Sequence, residues 1–79
     1  MDNVHRKFAH NLWWHRKIKY HLTQEQLALC LGCSRTQVSE WERGKVLPNR
    51  EHEAGLREVF GDTALLDVAA LRRYEETRR

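Results

Sequence analysis

Residues 23–48 read TQEQLALCLGCSRTQVSEWERGKVLP, two short apolar-periodic segments joined by Gly32-Cys33-Ser34. Thr23 stands where an N-cap belongs, and Gln26, three residues on, is its reciprocal capping-box partner. The helix this opens runs through Leu27, Ala28 and Leu31 to Gly32, which can take the left-handed conformation just past a helix end. Ser34 caps the next helix, Arg35 to Arg43, whose apolar residues Val38 and Trp41 are three apart and share a face. A three-residue join is too tight for an antiparallel hairpin and suits two helices crossing near a right angle. Ala28 supplies the small side chain that such a crossing needs where the axes approach. Leu27, Leu31, Val38 and Trp41 then form an apolar wedge beneath both helices, which leaves Arg35, Thr36, Ser39, Glu40 and Arg43, all polar, on the opposite face.

Outward from this pair the chain reads as further helices between scarce breakers. From about Asn3 to Tyr20, Phe8, Ala9, Leu12, Trp13 and Tyr20 recur at the helical period, and Arg16, Lys17 and Lys19 at the end complement the helix dipole. After Gly44, Lys45-Val46-Leu47-Pro48 is a connector. Asn49 caps a fourth helix from Arg50 to Phe60 with Leu56, Val59 and Phe60 inward, although Gly55 in its interior costs roughly 1 kcal/mol against Ala. Gly61 closes it. Thr63 caps a fifth helix over Ala64 to Tyr74, carrying Leu65, Leu66, Val68, Ala69 and Leu71, and the tail beyond it frays. No strand alternation, repeat or low-complexity run interrupts the pattern. The expected class is all-α: one compact bundle of five short helices spanning 1–79, with the helix-turn-helix at 24–43 and a C-terminal helix and tail at 62–79 as a possible dimer contact.

Seventy-nine residues exclude a multidomain enzyme and leave room for one small domain. The formal net charge is +3, and it is uneven: residues 1–45 carry eight basic and four acidic side chains, residues 46–79 six and seven. That points the first half towards an anion, though modest excesses of this kind are most often solvated surface. No apolar run approaches the roughly 18 residues of a membrane span, and no secretory leader is visible, so a cytoplasmic protein is expected. Two cysteines build no disulfide framework, so stability must come from packing.

The stretch quoted above resembles the helix-turn-helix of phage Cro and repressor proteins, also called the xenobiotic-response-element family. The matching residues are Gln24 opening the second helix, Ala28, Gly32 in the turn, Val38 and Trp41 inward, and Trp41-Glu42-Arg43-Gly44 followed by Leu47-Pro48. The resemblance implies a lambda-repressor-like DNA-binding domain whose third helix lies in the major groove, usually as a dimer on half-sites about 34 Å apart. It makes Arg35 and Thr36 the first base readers and Glu40 the next, with Gln37 and Ser39 bordering the strip. The chemistry fits: Arg is bidentate to guanine, Thr offers a methyl or hydroxyl, and Glu accepts from the cytosine amino group. Gln24 is expected to hold a phosphate with backbone N–H groups at its helix terminus. Arg43 and Lys45 clamp the other strand's backbone, joined by Lys19. The family also pairs a basic residue seven positions before that Gln with the acidic residue near the end of helix three, here Lys17 and Glu42. A helical projection instead puts Arg16 in the middle of the apolar face, so either can pair. Arg50 and Glu53 stand where the family is usually apolar.

Competing readings are weaker. Cys30-Leu31-Gly32-Cys33 has the spacing of half a zinc site, but a structural site needs four ligands, and His5, His10 and His15 sit about 140° apart on a helix. Cys33 reads as a small buried hydrophobe in the turn. Trp13 and Trp41 read as core rather than a base-stacking platform; Trp14 and Ile18 form a small outward patch. The apolar excess of the fifth helix either closes the core or makes a dimer contact. No nucleophile elbow, phosphate-cradling loop or paired acids suggest an enzyme. No catalytic residue, cofactor, metal or small-molecule ligand is expected. The function expected is a sequence-specific double-stranded DNA-binding transcriptional regulator, a homodimeric autorepressor on an inverted repeat, of the kind carried by phages or mobile elements. With one domain, its signal must come from outside the chain, through concentration or a partner such as an anti-repressor. The rivals are an antitoxin that uses the same DNA face and binds a toxin, and a protein-interaction module retaining the fold.

Overall fold

In a computed structural model of the chain, which describes residues 3–61 and 66–77, five α-helices follow one another: α1 Asn3–Trp13, α2 Gln24–Leu31, α3 Arg35–Glu42, α4 Arg50–Phe60 and α5 Val68–Thr77. No strand occurs among the described residues. None of the described helices is long and apolar enough to cross a membrane. The caps explain the boundaries. Thr23 Oγ1 accepts from Gln26 N while Gln26 Oε1 accepts from Thr23 N, the expected capping box. Ser34 and Gln37 form a second box at α3, and Asn49 Oδ1 accepts from His52 N at α4.

The turn between α2 and α3 is a Schellman motif. Gly32 sits at φ +68°, Cys33 N donates to the Ala28 carbonyl at 3.0 Å and Gly32 N to the Leu29 carbonyl at 3.3 Å. Cys33 is half-buried against the core, and burial pushes its thiol up from the usual range, so it stays protonated and packs as a small apolar group. The core joins Phe8 and Leu12 of α1, Leu27 and Ala28 of α2, Val38 and Trp41 of α3, Leu56 and Phe60 of α4, and Leu66 and Leu71 at α5. Gly55, an apparent liability in α4, has a packing reason: a Cβ there would lie 2.9 Å from Leu31 Cδ2, where α4 meets α2.

Two expectations are corrected. The first helix is not α-helical to Tyr20; after Trp13 the chain widens into a π-helical segment, Trp14–Lys19, closed by Tyr20 N donating to the His15 carbonyl at 3.0 Å. The wide turn brings His15 into the interior beside Arg16, which the helical projection already placed on the apolar face. The His15 ring donates from Nδ1 to the Asn11 carbonyl at 2.6 Å. Trp13 is therefore only half-buried and Tyr20 is 41% exposed, its hydroxyl donating to the Phe60 carbonyl at 3.3 Å.

The fifth helix does not run unbroken from Ala64. Leu66 lies in a 3₁₀ turn, and α5 starts at Val68, capped by Asp67 Oδ1 accepting from Ala70 N. Thr63 and Leu65 lie outside the described residues. Leu66 and Leu71 are buried in the core, and α5 packs on α1.

Candidate nucleic-acid interface

The orientation of α3 is set from behind by one ion pair. Glu42, at its last turn, receives a bidentate fork from Arg16, Nε to Oε2 at 2.5 Å and Nη2 to Oε1 at 2.9 Å. Arg16 Nη1 also donates to the Leu22 carbonyl at 2.7 Å, and Gln24 Nε2 to Glu42 Oε1 at 3.1 Å. The end of the π-helical segment, the start of α2 and the end of α3 are thus tied at one buried point. Both partners of the pair are almost wholly out of solvent. Of the two basic residues that sequence left open, Arg16 makes the pair and Lys17 is exposed.

With Val38 and Trp41 buried and Trp41 packed 5.4 Å from the His52 ring, the rest of α3 turns outward. Arg35, Thr36 and Gln37 are exposed, Ser39 and Glu40 half-buried, and Arg43 and Lys45 exposed beyond the helix end. Gln37 is partly committed, since its Oε1 accepts from Ser34 N, which leaves only its amide nitrogen free to act outward. Gln24 has its side chain on Glu42, while the first amides of α2, at Gln24 and Glu25, have no partner among the described residues. Lys19 is exposed, with its ammonium 5.5 Å from the Tyr20 ring centroid.

Beside Arg35 an open cleft of about 630 Å³ runs between the π-helical segment and the N-termini of α2 and α3, lined among others by Lys17, His21, Thr23, Gln24 and Arg35. Lys17 and His21 were not singled out as anion contacts from sequence. Lys17 was one of two candidates to pair with Glu42, and with Arg16 in that pair it is left exposed at the cleft. His21 reaches the cleft because its φ is +56°, a left-handed conformation that His adopts more readily than most non-glycine residues. No periodicity signals that position. The cleft thus offers the side chains of Lys17 and Arg35, the His21 imidazole and two free amides where a helix dipole favours negative charge, with Glu25 its one acid.

Among the described residues, no group of three or more His, Cys, Asp or Glu is placed to hold a metal ion.

A family model described as Helix-turn-helix matches residues 14–61. The chain is also 50% identical over 42 residues to a protein from Enterococcus faecalis named HTH-type transcriptional activator BcrR, a match covering 53% of this chain and 21% of that protein. The chain therefore spans about a fifth of the length of the curated relative it matches. No solved structure gives a significant match.

Proposed function

The chain belongs to the Helix-turn-helix family, and from that premise we propose that it is a sequence-specific double-stranded DNA-binding transcription regulator acting as a homodimer on an inverted repeat. The observation that carries the proposal is the outward strip of α3, polar along its whole length and held rigid by the Arg16–Glu42–Gln24 cluster. A recognition helix must present base-reading side chains in a fixed register, and side chains on a braced helix meet that need better than any on a loop. In this reading Arg35, Thr36 and Glu40 face base edges, with Ser39 and the free nitrogen of Gln37 at their border. Lys17, His21 and the first amides of α2 hold a phosphate on one side; Arg43 and Lys45 hold the backbone on the other, with Lys19 in the surrounding field.

Dimerisation follows from economy of information, because a single recognition helix contacts only a few base pairs and a two-fold pair doubles the site. Repression of its own promoter is the proposed form of regulation, since occupancy of a site overlapping a promoter excludes the polymerase. A promoter reporter with and without the protein is expected to show lower output with it; higher output would assign activation, the role in the relative's printed name, instead. The binding reading itself is tested by titrating salt. If four or more phosphates are neutralised, log affinity for duplex DNA falls against log salt with a slope of about −3.6 or steeper, at about −0.9 per phosphate. A flat response, or no binding to any duplex, would leave a protein-interaction module.

A further inference from the structure

A second cationic recess lies at the other end of α3. It is an open hollow of about 370 Å³ formed where α1 passes the end of the recognition helix, and Arg6, His10 and Trp13 line one wall and Arg43 and Gly44 the other. Arg6, His10 and Arg43 are exposed. Neither arginine has an ion-pair partner among the described residues. Glu42 also borders the hollow, but its carboxylate is already engaged by Arg16 and Gln24. The ring centroids of His10 and the half-buried Trp13 lie 6.0 Å apart on that wall.

We propose that this recess is a backbone-phosphate site, a contact supplied by α1 rather than by the helix-turn-helix itself. The proposal rests on the DNA-binding reading above and extends it. Two exposed arginines lining one open hollow, with a histidine beside them, suit the oxygens of a backbone phosphodiester. The position fits as well. The eight residues of α3 span about 12 Å at 1.5 Å per residue, close to the width of the major groove. The Lys17–His21 cleft sits beside its first residue and the Arg6–Arg43 recess beside its last. A helix laid in the groove meets a sugar-phosphate rim near each end, so the two hollows lie where opposite strands pass. The face of α1 that carries Arg6 and His10 then acts as a rail fixing the tilt of α3 in the groove.

The test compares the intact wild-type chain with Arg6→Gln and Arg6→Lys on one duplex over a range of salt. Arg6→Gln is expected to flatten the slope of log affinity against log salt by about 0.9 and to weaken every sequence about three- to tenfold at moderate salt. Base preferences and the melting temperature stay at wild-type values, since Arg6 is exposed. Arg6→Lys keeps the charge and is expected to keep the slope. A steep wild-type slope that Arg6→Gln leaves unchanged overturns the proposal while the DNA reading stands. A flat wild-type slope removes both.

Discussion

Arg16→Ala is expected to lower the unfolding free energy by about 3–5 kcal/mol, because it leaves Glu42 buried without its counter-charge. The Arg16 side chain is 9% exposed and that of Glu42 6%, so water cannot replace the lost fork. The Leu22 carbonyl also loses its donor, and Gln24 is left with a carboxylate that it cannot neutralise. Lys17→Ala, one residue away but exposed, is expected to stay within about 0.5 kcal/mol of wild type. Urea unfolding of both variants gives the comparison. Equal losses would mean that the pair is not the brace described here. Replacing both partners with apolar residues, Arg16→Met with Glu42→Leu, is expected to recover much of the loss, since the uncompensated charge is what destabilises most. That double variant separates stability from function. It folds without the polar tie that sets the register of α3, so it is expected to bind DNA less selectively than wild type.

Arg35→Ala is expected to cost about 1–3 kcal/mol on the preferred duplex, roughly 5- to 150-fold in affinity, with little change on unrelated sequence. Arg35 is exposed at the first position of α3, where a side chain entering the groove reaches base edges before phosphates. Lys45→Ala gives the contrast. Lys45 lies past the helix end, and its loss is expected to weaken all sequences alike and flatten the salt slope by about 0.9. Competition assays on preferred and scrambled duplexes distinguish the two patterns. If Arg35→Ala weakens both duplexes equally, Arg35 is a phosphate contact and the base-reading strip begins elsewhere.

The part of the fold legible in the sequence is the part governed by local chemistry. Thr23, Ser34 and Asn49 each cap the helix they precede, and Gly32 ends α2 in the left-handed region, because caps and turns are settled within four or five residues. Asp67, three residues before Ala70, is the side chain that caps α5. The π-helical segment had no signature at all, since six residues are too few to tell its wider turn from an α-helix by periodicity. Its consequences were hidden with it: His15 turned inward beside Arg16, and Lys17 lining the cleft with His21. The helical projection pointed to Arg16 and the family spacing to Lys17, and the structure pairs Arg16. The Arg6–Arg43 recess brings together residues 37 positions apart, which no local pattern reports.

That α3 reads base edges is tested most directly by selecting from a random duplex pool with the intact chain. The expected product is an inverted repeat with half-site centres about one helical turn apart, ~34 Å. Repeating the selection with Arg35→Ala is expected to erase the preference at one position in each half-site and keep the rest. Unenriched pools, or a motif identical for the two proteins, would contradict the assignment of α3 and Arg35 as the reading head.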